Sequence, residues 1–175
     1  MKPIVILSGP VGAGKSTVAQ ELIALSPAPV ARVEGDKFWF FIAKADKSQA
    51  RNQKFKMIMT AMTAAALPYA ASGYETILDF SVPPWFLDTA RRIAKVREVP
   101  LDYVVLRPSD SVCAGRAAAR TEGKITDYAP YSELYATFDP EPRHLIEDDA
   151  SDAKVVAARI REGLEAGLFR LSKEL

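Results

Sequence analysis

Short runs dense in apolar and β-branched residues alternate along the chain with longer stretches whose apolar positions recur every three or four residues. That alternation predicts right-handed βαβ units around a parallel sheet. The runs that read as strands are Ile4–Ser8 (IVILS), Pro29–Glu34 (PVARVE), Glu75–Phe80 (ETILDF), Asp102–Leu106 (DYVVL) and His144–Glu147 (HLIE), the last being the weakest. The first, third and fourth are almost continuously apolar, as strands covered on both faces by helices must be. Between them, Val18, Leu22 and Leu25 predict a helix over Lys15–Leu25, which Pro27 stops. Phe55, Ile58, Met59, Met62 and Leu67 predict a longer one from about Ser48 to Ala71, with Pro68 placed to kink or end it. Further helices are expected over Trp85–Val96 after Pro83 and Pro84, over Asp110–Arg120 behind Ser109 as a cap, and over Asp152–Leu168 behind Ser151.

The stretch from Thr121 to Pro142 breaks this rhythm. It mixes Gly123, Asp127, Pro130, Asp139 and Pro140 with Tyr128, Tyr131, Tyr135 and Phe138, and reads as a mobile insertion with one short helix. A loop of that length is uncommon in a compact domain unless it has a task, so it is a candidate active-site lid, with a surface excursion as the alternative.

Composition narrows the class without naming a chemistry. With 175 residues, 49% hydrophobic and 26% charged, the chain is expected to form a single globular domain that needs no disulfide or metal staple. Its 23 basic and 22 acidic residues create no net field toward nucleic acid or an anionic membrane, so any phosphate recognition has to be local. Cys113 is the only cysteine, which excludes an internal disulfide and a thiolate zinc cluster; inside an alanine-rich helix it reads as a buried small hydrophobe. His144 reads as the start of the last strand, and Arg91, Arg92, Lys95 and Arg97 as a solvated basic face rather than a nucleic-acid groove. The apolar run Ile4–Leu7 is interrupted by Gly9, Pro10, Gly12 and Gly14 before it reaches signal-peptide length. No segment approaches the roughly 20 apolar residues of a membrane span. A cytoplasmic protein is expected.

The chemistry is concentrated in Gly9-Pro10-Val11-Gly12-Ala13-Gly14-Lys15-Ser16, which satisfies G-x-x-x-x-G-K-[ST] between an apolar strand and an amphipathic helix. Glycines let the backbone turn tightly and bring successive N–H groups against a phosphate at the positive end of the following helix. Lys15 adds a full charge for the β- and γ-phosphates, the Ser16 hydroxyl suits magnesium, and Thr17 suits a more internal phosphate. Ligands of open α/β sheets bind beyond the carboxyl ends of the strands, which singles out Asp36 after the second strand and Asp79 near the end of the third. Asp36 is expected to accept the proton of an attacking hydroxyl, and Asp79 to hold a metal-bound water. Arg116 and Arg120, four residues apart on one helical face before the insertion, form a candidate clamp for transferring phosphate or adenine. Phe38, Trp39, Phe40 and Phe41 follow Asp36 as candidate lining of an acceptor site, although consecutive residues cannot all face one way; Arg51 and Trp85 are further candidates.

Taken together, GPVGAGKS, the Glu34-Gly35-Asp36 turn, ILDF, and VVLRPS followed by Arg116-Ala-Ala-Ala-Arg120 resemble the small P-loop kinases of the group containing chloramphenicol phosphotransferase, zeta toxins, gluconate kinase and adenylylsulfate kinase. The resemblance spans most of the chain. It implies a P-loop NTPase α/β/α sandwich whose five parallel strands lie in the order 2-3-1-4-5, with ATP and magnesium as cofactors. It also implies that Asp36 is the base toward a substrate hydroxyl, and that Arg120, with Arg116 beside it, contacts ATP. The group usually carries an arginine soon after that aspartate, where this chain has aromatics, so the acceptor stays open. The expected reaction moves the γ-phosphoryl group of ATP to a hydroxyl of a small molecule. The alternatives are a nucleoside monophosphate kinase, whose anionic acceptor calls for arginines more than for a base, and an ATP-binding regulatory or toxin-like module acting on a protein partner. Without an NKxD motif, a GTPase reading lacks its expected companion.

Overall fold

The computed structural model describes residues 1–44 and 46–172. Its first strand, β1 (Ile4–Ser8), sorts its side chains between two cores by the two-residue period of a strand: Ile4 and Ile6 enter one, Val5 and Leu7 the other. Strand β4 (Leu101–Leu106) repeats the division, with Tyr103 and Val105 on the first side and Val104 and Leu106 on the second. Both strands are buried throughout, which explains their largely apolar sequence; the buried Asp102 of β4 is paired with Arg170 at 2.6 Å. Completed by β2 (Val30–Glu34), β3 (Glu75–Asp79) and the two-residue β5 (Leu145–Ile146), the sheet runs β2-β3-β1-β4-β5 and its strand pairs are all parallel. This is the order implied by the kinase resemblance.

Helices cover both faces. Beside the first core lie α2 (Arg51–Ala71), with Ile58, Met59, Met62 and Ala66 buried, and α3 (Leu87–Lys95), with Leu87, Ala90 and Ala94 buried. Beside the second lie α1 (Lys15–Leu25), α4 (Asp110–Ala118), and the later helix that spans Ala153–Glu165. A short α5 (Ala129–Ala136) sits within the 121–142 insertion, so the Ala153–Glu165 helix is α6. Among the described residues, no helix is long and apolar enough to cross a membrane.

Several boundaries move for identifiable reasons. Pro68 lies inside the last turn of α2 without ending it; the chain leaves the helix at Ser72 and turns at Gly73, which has a φ of 90°. The cap of α6 is Asp152, which accepts from the Val155 N–H at 2.9 Å, rather than Ser151. Ser109 makes no side-chain cap for α4; its own N–H donates to Asp149 at 2.6 Å. The Trp85–Val96 stretch divides into a 3-10 turn, Pro84–Phe86, and α3. His144 does not begin the last strand: it ends a 3-10 turn, Pro142–His144, where its Nδ1 lies 2.8 Å from the Tyr103 carbonyl. Most consequentially, α4 stops at Ala118, so Arg120 lies beyond the helix that was expected to carry it.

Candidate active site

The phosphate-binding loop leaves the buried end of β1 and opens α1. Its glycines are needed where the backbone comes closest to its neighbours. At Gly12, φ is 86° and a Cβ would collide with the Cys113 carbonyl of α4. At Gly9, φ is 140° and a Cβ would collide with the Leu106 carbonyl at the end of β4. Cys113 is thus part of the floor under the loop; it is fully buried, and burial pushes its thiol pKa up, which keeps it unreactive.

Lys15 folds back over the loop that precedes it. Its Nζ donates to the Gly9 carbonyl at 3.0 Å and to the Pro10 carbonyl at 2.9 Å. An ammonium has three donors, so this arrangement leaves one for a ligand. Desolvation pushes the Lys15 pKa down from 10.5 to about 8; Asp79 and Asp36 pull it back up, and Arg120 lowers it further. These groups converge on a cavity of about 160 Å³ lined by Val11, Gly12, Gly14, Lys15, Ser16, Thr17, Asp36, Asp79, Phe80, Ser81 and Arg120.

Asp36 enters that cavity from the 3-10 turn Gly35–Phe41 and is exposed to it. Asp79, in contrast, is buried, and its Oδ2 accepts from the Ser16 hydroxyl at 3.0 Å and from Arg32 Nη2 at 2.6 Å. The backbone just after Ser81 is pinned at Val82: the Ser8 hydroxyl donates to the Val82 carbonyl and accepts from the Val82 N–H, and the Tyr103 hydroxyl donates to the same carbonyl.

The insertion is packed against the loop. The Tyr128 hydroxyl donates to the Val11 carbonyl at 2.7 Å. The Ser81 hydroxyl donates to the Gly9 carbonyl at 2.8 Å, which leaves its oxygen free to accept from Tyr135, 3.3 Å away. Tyr128, Tyr135 and Phe138 are all buried. Their positions, with Tyr131 between them, are spaced by three, four and three residues, and that helical spacing was the available sign that this stretch docks an apolar stripe.

Arg116 and Arg120 line different hollows. Arg120 lines the phosphate cavity, whereas Arg116 lines a second hollow of about 270 Å³, bounded by Leu106, Pro108, Ile146, Asp148 and Val156. The hollows share Gly14 and Thr17, so one elongated ligand can cross from one to the other. None of the aromatic residues after Asp36 reaches the phosphate cavity: Phe38 and Trp39 pack on the first core, Phe41 faces a groove outside β2, and Phe40 stands in solvent. Neither Arg51 nor Trp85 lines the cavity. Arg32 is the participant that sequence reasoning missed; its signal was a charged residue in the middle of a strand-like run.

A glycine-rich loop between the first strand and first helix of a β2-β3-β1-β4-β5 parallel sheet defines the P-loop NTPase fold. Within that class, the chain belongs to the AAA domain family, whose sequence profile matches residues 4–134. No curated protein matches the chain. Solved structures with the same fold include the tunicamycin resistance protein of Deinococcus radiodurans, at 18% identity over 98% of this chain and 99% of that one, with a TM-score of 0.71. The APS kinase of Mycobacterium tuberculosis, solved with AMPPNP and APS, aligns at 16% identity over 94% and 98%, with a TM-score of 0.72. A gluconokinase from Sinorhizobium meliloti aligns at 22% identity over 94% and 96%, with a TM-score of 0.55. The fold is therefore that of small P-loop kinases, as the sequence motifs implied.

Proposed function

We propose that this protein is an ATP-dependent phosphotransferase that moves the γ-phosphoryl group of ATP to a hydroxyl of a small molecule. The observation that carries the reading is the convergence of Lys15, Ser16, Asp36, Asp79 and Arg120 on one cavity at the mouth of the loop. The residues from Gly9 to Thr17 hold the phosphates, with loop N–H groups, the remaining Lys15 donor and the helix end supplying positive potential. The nucleoside extends into the hollow beneath Arg116, and Arg120 neutralises charge on the group in transfer. Asp36, exposed in the same cavity, accepts the proton of the acceptor hydroxyl. The docked insertion excludes water from the reacting phosphate.

The donor set suits magnesium. Among the described residues no group of three or more His, Cys, Asp and Glu side chains is placed to hold a metal. The Ser16 hydroxyl and the Asp79 carboxylate are hard oxygen donors of the kind that supplement phosphate oxygens and water around this ion. Once bound with ATP, the ion would offset negative charge on the phosphates.

A hydroxyl acceptor is favoured over a nucleoside monophosphate because the cavity holds a free carboxylate, Asp36, where an anionic acceptor would need cations. The APS kinase and gluconokinase with this fold are named for small-molecule acceptors, which supports the same class. The test is an ATP-consumption screen of the purified protein across antibiotics, sugars, nucleosides and nucleotides, with mass spectrometry of any product. A phosphorylated alcohol is expected. Transfer only to nucleoside monophosphates would replace this reading with the alternative kinase. Tight ATP binding without transfer to any small molecule would favour a protein-directed module.

A further inference from the structure

A cation already pairs with the Asp79 carboxylate assigned above to the metal side. Arg32 projects from β2 with its side chain 15% exposed, and its Nη2 lies 2.6 Å from Asp79 Oδ2. Its Nη1 lies 3.9 Å from Glu34, the residue before the Gly35-Asp36 turn. The Asp79 side chain is only 5% exposed, and the oxygen bound by Arg32 is the one that accepts from Ser16. Arg32 Nε is buried without a partner, so the guanidinium is held here by carboxylates at a cost in its own hydrogen bonding.

A guanidinium stays charged at any accessible pH. On the Ser16 side of the cavity, a divalent cation approaching the nucleotide-free protein therefore meets one hydroxyl and a carboxylate already paired with a guanidinium. Asp36 faces the same cavity together with two cations, Lys15 and Arg120. An ion arriving on ATP brings phosphate oxygens with it and needs far less from the protein. We infer that Arg32 is a positioning residue that keeps Asp79 aimed at Ser16 and occupied, so that metal enters the site only as a complex with nucleotide. The same pair also ties β2 to β3, but strand tethering alone predicts no change in metal affinity when the charge is removed. The inference rests on the reading of Ser16 and Asp79 as the metal side.

The test uses Mn²⁺ as the probe, with bound and free ion distinguished by electron paramagnetic resonance, and requires no turnover. The wild-type protein is expected to bind Mn²⁺ weakly alone and at least about tenfold more tightly when ATP is present. Arg32→Gln and Arg32→Met are expected to bind Mn²⁺ without nucleotide at least about tenfold more tightly than wild type, since each leaves the Asp79 charge uncompensated. Arg32→Lys, which keeps a charge, is expected to remain weak, and adding Asp79→Asn to Arg32→Gln is expected to abolish the gain. Thermal melting identifies which neutral variant is folded and therefore informative. If a folded neutral variant binds Mn²⁺ no better than wild type while ATP still promotes Mn²⁺ binding to the wild type, the Arg32 inference fails alone. If ATP does not promote Mn²⁺ binding to the wild type, the metal-side reading fails and takes this inference with it.

Discussion

The phosphate-binding loop and the segment that follows Asp36 are built in different ways. Around the phosphate-binding loop the polar groups are held before any ligand arrives: Lys15 by two loop carbonyls, Ser16 and Arg32 by Asp79, and Val11 by Tyr128. The segment after Asp36 leaves large side chains open instead, with Phe40 83% and Phe41 78% exposed. A triphosphate is the same object in every ATP-dependent reaction, so its cradle can be preorganised at little loss of generality. The turn from Gly35 to Phe41 contributes only Asp36 to the phosphate cavity, so a shared fold leaves its large side chains free to vary.

The largest effect expected from perturbing the donor side is that of Lys15→Ala. Loss of one charge-assisted contact should weaken ATP binding by about ten- to a hundredfold in calorimetry. Unchanged affinity would show that the loop does not hold the phosphates. The pH dependence sharpens the same point. Because the free Lys15 pKa lies near 8, below its ordinary 10.5, the ammonium must regain a proton to meet phosphate at high pH. ATP affinity should therefore fall above about pH 8 in the wild type and stay comparatively flat in Lys15→Ala. Fold stability should move the other way, rising between pH 8 and 10.5, where the folded chain has released the Lys15 proton that the unfolded chain still holds, and levelling off above that.

A smaller effect is expected where the insertion meets the loop. Tyr128→Phe removes one hydrogen bond of about 1 kcal/mol that docks the insertion on the loop, so the melting temperature should fall by roughly 2–4 °C and the KM for ATP should rise by up to about fivefold. An unaltered KM would mean that docking of this stretch has no part in nucleotide binding. The smallest effect lies away from both sides, at His144. Burial pushes its pKa below 6.5, so the unfolded chain takes up the proton first. Stability should decline as pH falls below about 6.5, and His144→Gln should flatten that decline in denaturant titrations. An identical acid profile in the variant would remove His144 from the account.

How much of this was legible in the sequence follows the same division. The loop and the apolar strands announce themselves because their constraints are local: glycine where a positive φ is forced, and continuous apolarity where both faces are covered. The sheet order followed from resemblance, not from periodicity. What escaped were contacts set by tertiary placement. Asp79 was singled out for its position at a strand end, but its grip on Arg32 depends on how neighbouring strands are staggered. Arg116 and Arg120 looked like a pair until the helix ended at Ala118 and sent them to different hollows. The aromatics after Asp36 divide, as consecutive residues must: the 3-10 turn packs Phe38 and Trp39, partly buried, against the core and leaves Phe40 and Phe41 exposed.

The central claim, that Lys15 and its loop serve the donor while Asp36 serves the acceptor, is tested most directly by measuring ATP affinity and phosphoryl transfer side by side in Asp36→Asn. The expected result is ATP affinity within about threefold of wild type and transfer slowed on the order of a hundredfold or more, since a positioned general base contributes about that much. Transfer at the wild-type rate, or loss of ATP affinity in step with transfer, would contradict it.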